Sequence, residues 1–406
     1  PGILGLRPYQ PGKPVEELER ELGIVDAVKL ASNENPRGLS PRVLAALAEA
    51  QTDLMRYPDG SAYFLKKRLE EHLGVDESRI TIGNGSNDVL ELLSRVFLGP
   101  NTETIISQHA FVVYPLVTRA LGSGLVEVPA RDFCQDLEAT LSAVTERTRM
   151  IFIANPNNPT GTWVQKSLLT EFLDQVREDI LIVLDEAYFE YVLEAEYPNG
   201  IALIGKYDNL VVTRTFSKAY GLAGLRIGYA VSHPDVADLM NRIRQPFNVN
   251  SMSLVAAEEA LNDQQYIAET VRLNSEGLAF LSAACDDMGL TYIPSVANFL
   301  TIDVGDDAVS VYNLLLREGV IVRPIAFTVC QTIFGYRSAC PKKMLASLLR
   351  CARSCSVTSC GIVGLGLIGG SIAAGLKKNG SKLRVLAWDK NKQSIERGLA
   401  AGFIDE

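Results

Sequence analysis

Histidine is scarce in this chain. Only three occur in 406 residues, His72, His109 and His233, and no two stand at metal-ligand spacing. No metal site and no histidine-based triad are therefore expected. Positive charge is also short: a net charge of -9 with no basic run argues against nucleic acid as a partner. No signal peptide and no membrane partner are expected, and a cytoplasmic location is expected. Internal repeats and low-complexity tracts are absent. Before residue 327 only Cys134 and Cys285 occur, so no disulfide framework is expected there. Pro1 stands where Met would begin a chain, and a start further upstream is expected. What remains is ordinary for a globular protein: 47% hydrophobic and 21% charged residues, with length for two or three domains.

The most telling run is Arg214-Thr215-Phe216-Ser217-Lys218-Ala219-Tyr220-Gly221-Leu222-Ala223-Gly224-Leu225-Arg226, which follows the strand-like Leu210 to Thr213. A lysine that forms a Schiff base needs a partly dry site and a neighbouring anion binder. Ser217 and Arg226 can hold a phosphate while Lys218 holds a carbonyl carbon, which is the layout for pyridoxal phosphate. A Ser-Lys pair in a loop carries little by itself. Three further runs supply the rest.

Asn155-Pro156-Asn157-Asn158-Pro159-Thr160-Gly161 follows the apolar Met150 to Ala154. Its density of Asn, Pro and Gly marks a fixed turn, and an amide there can donate to a phenolate oxygen on a cofactor ring. Ile180 to Leu184 reads as a buried strand that ends in Asp185-Glu186-Ala187-Tyr188. A carboxylate at the carboxyl end of such a strand sits where open α/β sheets bind ligands, and facing a pyridine nitrogen it keeps that nitrogen protonated. Gly83-Asn84-Gly85-Ser86-Asn87-Asp88 opens a helix-like pattern over Val89 to Leu98, and glycines with a Ser at a helix start make an anion site.

In order along the chain these four runs resemble the fold-type-I pyridoxal-phosphate aminotransferases. The resemblance extends to the histidinol-phosphate aminotransferase family through Leu6-Arg7-Pro8-Tyr9-Gln10-Pro11-Gly12-Lys13-Pro14, Leu30-Ala31-Ser32-Asn33-Glu34-Asn35-Pro36, Arg56-Tyr57-Pro58-Asp59-Gly60 and Gly319-Val320-Ile321-Val322-Arg323-Pro324. It covers roughly residues 1 to 326. It implies that Lys218 bonds the cofactor and moves the proton, that Asp185 partners the pyridine nitrogen, and that Tyr188 and Asn158 bond its 3′ oxygen. Gly85, Ser86, Asn87, Ser217 and Arg226 are implied at the phosphate, and Phe111 as a ring stacked on the cofactor. Tyr57 is implied to reach the other subunit of a homodimer. Tyr9 and Arg323 are implied at the substrate phosphate, and Asn33 in the loop that closes over the substrate. The implied reaction moves an amino group between histidinol phosphate and 2-oxoglutarate, giving imidazole-acetol phosphate and glutamate, a step of histidine biosynthesis. Guanidinium groups suit a site that takes both a phosphate and a dicarboxylate.

From about residue 80 to 260, strand-like runs alternate with helical stretches such as Ser167 to Val176 and Met252 to Leu261, as in a wound α/β sheet. Residues 265 to 325 read as a smaller α+β unit with strands near Leu290 to Ile293 and Phe299 to Val304. The expected fold is thus an α/β, fold-type-I large domain with a smaller α+β domain and a truncated Rossmann-like tail. Its parts are an arm with part of the small domain (1–40), the cofactor-binding large domain (41–264), an incomplete small domain (265–326), a frame-shifted segment (327–359) and a dinucleotide-binding βαβ (360–406).

The resemblance is expected to stop at Ala326. The family continues with Tyr-Gly-x-Pro-Asn-His-x-Arg, whose arginine binds the substrate carboxylate, whereas this chain continues Phe327-Thr328-Val329-Cys330-Gln331-Thr332-Ile333-Phe334-Gly335-Tyr336-Arg337-Ser338. Five of the seven cysteines, Cys330, Cys340, Cys351, Cys355 and Cys360, crowd into this stretch. Back-translated from the third base of the Phe327 codon, the genetic code permits Tyr-Gly-Val-Pro-Asn-His-Leu-Arg-Val-Ser, and later Pro-Glu-Glu-Asn-Ala-Arg-Phe. One lost base near codon 327, by sequencing error or by real mutation, is the expected cause, so Arg337 is not given the carboxylate role. The chain as written is expected to bind pyridoxal phosphate and to turn over poorly.

Gly361-Ile362-Val363-Gly364-Leu365-Gly366-Leu367-Ile368-Gly369-Gly370-Ser371 then sets Gly364, Gly366 and Gly369 in the dinucleotide pattern. A second strand, Leu383 to Trp388, ends in Asp389, placed for a ribose hydroxyl and favouring NAD. This tail resembles the start of a prephenate or arogenate dehydrogenase and is expected to be without a catalytic half. Three other readings stay open: another pyridoxal-phosphate enzyme, such as an aromatic aminotransferase or a phospho-amino-acid decarboxylase; a fused NAD-dependent dehydrogenase; and an inactive product of a disrupted gene.

Overall fold

A computed structural model describes residues 3–6, 12–304, 308–325, 329–333, 359–363, 384–388, 396, 399–400 and 404. By packing, the chain divides into two units. The first comprises Pro1–Gln10, Asn33–Ser275 and Ile293–Asn298; the second comprises Pro11–Ser32, Glu276–Tyr292 and Phe299–Glu406. The division falls inside one long helix, Gln264–Asp287.

The first unit is built on a seven-stranded sheet. Its strands are β1 (Ile80–Gly83), β2 (Glu103–Ser107), β3 (Gly124–Val128), β4 (Thr148–Ala154), β5 (Leu181–Asp185), β6 (Leu210–Thr215) and β7 (Gly228–Val231). They lie side by side in the order β1-β7-β6-β5-β4-β2-β3. β7 runs antiparallel to both neighbours, and the other pairs are parallel. Parallel strands covered on both faces read as continuous apolar runs. Accordingly β5 and β6 are buried at every position, and Met150 to Ala154 of β4 likewise.

Helix α1 (Ser86–Phe97) buries Val89, Leu90, Leu92 and Leu93 at helical spacing, against Phe152, Val183 and Val211 of the sheet. Each such side chain contributes about 1.5–3 kcal/mol of transfer free energy. Leu93→Ala at this fully buried position costs about 2–5 kcal/mol. The helices expected over Ser167 to Val176 and Met252 to Leu261 form as Lys166–Gln175 and Ser251–Asn262. Asn250 caps the latter by accepting from Ser253 N at 2.9 Å.

In the second unit Leu18, Ala31 and Ile321 make a small core, with Val28–Lys29 paired in parallel to Val320–Ile321. Of the two strands expected here, one forms as Phe299–Asp303 and the other shortens to Tyr292–Ile293. Val329–Ile333 pairs antiparallel with both Phe299–Asp303 and Arg323–Ile325. Strand pairing therefore continues past Ala326, where the family pattern was expected to end. Val329, Thr332 and Ile333 are β-branched and suit a ladder whatever their origin. In a separate sheet Ser359–Val363 pairs in parallel with Arg384–Trp388.

Candidate active site

The carboxyl ends of β4, β5 and β6 bring the principal groups together. Asp185 ends β5 opposite Ala154 and Thr213. It is 6% exposed, and both carboxylate oxygens are engaged. Tyr114 Oη donates to Oδ2 at 2.8 Å, and Thr213 Oγ1 donates to Oδ1 at 3.0 Å. Burial pushes this carboxyl above the usual range, while the Tyr114 and Thr213 bonds, the Ala187 N–H and the Lys218 charge pull it back. Tyr114 is itself fixed by stacking on Phe152, with centroids 4.5 Å apart and planes at 2°. Phe111, half-buried, meets Tyr114 edge to face at 5.7 Å.

Tyr188 is 2% exposed, and its phenol oxygen accepts two amide donors, Asn33 Nδ2 at 2.7 Å and Asn158 Nδ2 at 3.2 Å. Two acceptances fill the oxygen's lone pairs and leave its O–H to donate elsewhere. Lys218 Nζ lies 5.5 Å from the centroid of the same ring. The lysine stands in a tight turn just beyond β6. Ser217 N donates to Thr215 Oγ1 at 3.1 Å, and Gly221 N to Lys218 O at 3.0 Å.

An anion cradle forms beside it. Gly85 has φ 84°, and a Cβ there would run into the Arg226 guanidinium. Ser86 and Asn87 open α1, whose first N–H groups and dipole favour an anion. Arg226 Nη1 donates to Ser217 Oγ at 3.2 Å and to Ala223 O at 3.0 Å. Gly228 of β7 is needed for the sheet to approach this loop, since a Cβ there would lie 2.5 Å from Ser86 N. The cluster thus joins an anion binder, a buried carboxylate and an amine near a phenol.

Several predicted residues lie apart from this account. Tyr57 is 83% exposed and stacks on Phe247 at 4.8 Å. Arg323 belongs to the second unit, half-buried in the strand Arg323–Ile325. Tyr9, Gly364, Gly366, Gly369, Asp389 and Arg337 lie outside the described residues.

Tyr114 and Thr213 were not singled out as site residues in the sequence, although they clamp Asp185. A second network also escaped notice. Asp88 Oδ2 accepts from Asn84 N at 2.9 Å and from Asn248 Nδ2 at 2.8 Å. Arg244 then donates to Asn248 Oδ1 at 2.6 Å and to Gly60 O at 2.8 Å. It ties the anion loop to the segment that carries Tyr57. Arg214 makes a buried pair with Glu186, two nitrogens on one oxygen at 2.7 and 2.9 Å, and its guanidinium covers the Phe189 ring. A charged residue ending an apolar strand was the available signal for that pair. Glu190 beside it has an unpartnered Oε2, and burial lifts its carboxyl to about 7.

Residues 25–348 match the family Aminotransferase class I and II. The match runs past Ala326. Over 325 residues the chain is 59% identical to histidinol-phosphate aminotransferase 1 of Idiomarina loihiensis, covering 80% of this chain and 89% of that one. It is 55% identical over 324 residues to histidinol-phosphate aminotransferase 1 of Nitrosococcus oceani, covering 80% and 88%. The crystal structure of histidinol-phosphate aminotransferase from Sinorhizobium meliloti in complex with pyridoxal-5'-phosphate superimposes with a TM-score of 0.81. It is 32% identical and covers 88% of this chain and 98% of that one. Aspartate aminotransferase from Thermus thermophilus with maleate, 24% identical, shares the fold with a TM-score of 0.74 over 84% and 97%.

Proposed function

The chain belongs to the class I and II aminotransferases, within the histidinol-phosphate aminotransferase family, and from that premise we propose that it moves an amino group between histidinol phosphate and 2-oxoglutarate with pyridoxal phosphate. The observation that carries this reading is the clamped Asp185 together with Lys218 near Tyr188. The donor set fits the cofactor. A buried carboxylate answers a ring nitrogen, the Asn158–Tyr188 pair answers a phenolate oxygen, and Gly85, Ser86, Asn87, Ser217 and Arg226 answer a phosphate. When bound, pyridoxal phosphate supplies an electron sink for negative charge at the substrate α-carbon.

This chain's residues do the remaining work. Lys218 Nζ would hold the cofactor at rest and, once displaced by the incoming substrate amine, would be free to take the substrate α-proton and return it. Asp185, denied rotation by Tyr114 and Thr213, would hold the cofactor's ring nitrogen and favour its protonated form. Tyr188 donates its O–H outward, because both its lone pairs are occupied. Phe111 would stack on the cofactor ring. The family resemblance would give Asn33, Tyr9 and Arg323 roles toward the substrate, the last two toward its phosphate. The test is steady-state transamination with histidinol phosphate and with phenylalanine as amino donors. Preference for histidinol phosphate supports the reading, and preference for the aromatic donor replaces it with an aromatic aminotransferase.

The working form in this reading is a cytoplasmic homodimer in which Tyr57 reaches the cofactor phosphate of the partner. Leu54, Met55, Tyr57, Tyr63, Phe64 and Phe247 are all exposed, an apolar concentration that suits an interface.

The residues from 327 onward carry a separate proposal. A lost base near codon 327 removed the carboxylate-binding arginine, and the tail is the NAD-binding start of a dehydrogenase. The parallel pair Ser359–Val363 and Arg384–Trp388 is compatible with a βαβ start. Resequencing codons 320 to 365 tests the first part, and calorimetric titration with NAD the second. An intact frame, or no NAD heat, removes each in turn.

A further inference from the structure

Among the described residues of the first unit, two buried side-chain amide oxygens have no hydrogen-bond partner, Asn33 Oδ1 and Asn298 Oδ1. Both residues are 3% exposed. Buried acceptors are almost always satisfied, so an orphan calls for a donor. The two amides are neighbours: Asn298 Nδ2 donates to the Asn33 backbone oxygen at 3.2 Å and to Tyr191 Oη at 3.4 Å. Asn33 Nδ2 donates to Tyr188 Oη at 2.7 Å, and Lys218 Nζ lies 5.5 Å from that ring. Both amides therefore spend donors on the protein and leave acceptors over, and Asn33 bonds the same Tyr188 whose ring Lys218 Nζ approaches. Asn33 is also held at φ 55°, a backbone state that non-glycine residues keep where the surroundings impose it.

We propose that Asn33 Oδ1 and Asn298 Oδ1 form an acceptor pair for the imidazole N–H of the amino substrate, which makes Asn298 a specificity residue. The inference rests on histidinol phosphate being that substrate. Its consequence is asymmetric. Glutamate and 2-oxoglutarate carry a distal carboxylate and no side-chain N–H, so two carbonyl dipoles give them nothing. The pair assists one half-reaction and not the other.

The experiment compares Asn298→Leu and Asn298→Asp with the parent protein, each loaded with pyridoxal phosphate. Single-turnover half-reactions are run with histidinol phosphate and with glutamate. Thermal melting and the cofactor spectrum verify folding, and Asn298→Ala replaces a Leu variant that does not fold. In Asn298→Leu, kcat/KM for histidinol phosphate falls by about ten- to a hundredfold, mostly through KM, because a site built to bond an N–H loses its partner. The glutamate half-reaction stays within about twofold. Asn298→Asp retains an acceptor oxygen and loses the donor to Asn33, so it keeps most of the histidinol phosphate rate. Equal losses with both substrates, or an Asp variant as impaired as the Leu variant, would overturn the proposal and leave Asn298 as a support for Asn33. No change with either substrate would overturn it as well. A parent protein that processes glutamate but rejects histidinol phosphate would instead strike the reading beneath.

Discussion

At Asp185 burial and hydrogen bonding pull in opposite directions. Burial favours the neutral acid, while the Tyr114 and Thr213 donors and the Lys218 charge favour the anion. A protonated ring nitrogen facing the carboxyl would decide the contest for the anion. Asp185→Asn keeps the shape and removes that charge. Its turnover is expected to fall by about a hundred- to a thousandfold with cofactor still bound, the scale of losing one preorganised electrostatic contact. Steady-state rates at saturating cofactor check this. Glu190 offers a stability test. Its carboxyl rises from 4.5 to about 7 through burial. A raised value means the folded state holds the proton more tightly than the unfolded chain. The stability it contributes is full below about 4.5 and is lost as pH climbs through about 7. Glu190→Gln should therefore narrow the Tm difference between pH ~5 and pH ~8 by a few degrees. Unchanged Tm differences would show that the carboxyl does not titrate in that window.

Elements explain what could be read from the chain and what could not. Strands β4, β5 and β6 were legible because strands buried on both faces need unbroken apolar runs, and the proposed site residues follow directly at their ends. The clamp on Asp185 was not, because Tyr114 and Thr213 reach it only through tertiary packing, 71 and 28 residues away in sequence. The Asp88–Asn248 bond joins residues 160 apart and leaves no local pattern at all. The anion loop gives a prediction at this scale. Gly85→Ala puts a methyl group into the Arg226 guanidinium at a φ of 84°. Cofactor affinity should drop by about tenfold or more, since alanine pays both the backbone strain and the collision. Asn248→Ala leaves the loop residues intact and frees Asp88, so its loss should be smaller. Titration of both variants with pyridoxal phosphate ranks them, and a reversed order would mean that the network bears more of the site than the glycine does.

For the whole molecule, the exposed apolar residues around Tyr57 motivate the proposed dimer. Met55 is 85% exposed, Tyr57 83% and Phe64 68%, which is much apolar surface for one short stretch. Light scattering is expected to give a dimer, and Phe64→Glu a monomer that binds cofactor more weakly. A wild-type monomer with full affinity would remove Tyr57 from the partner's site.

The central claim is that Lys218, Asp185 and the Gly85–Arg226 cradle form the cofactor-holding and proton-moving part of the proposed site in the first unit. Its most direct test is the absorption spectrum of the cofactor-loaded protein as histidinol phosphate is added without an acceptor. The account predicts that the visible band of lysine-bound cofactor gives way to the amine form in step with one equivalent of imidazole-acetol phosphate, and that Lys218→Ala shows neither the band nor the change. A bound cofactor whose spectrum ignores the substrate, or a Lys218→Ala protein that behaves like its parent, would contradict it.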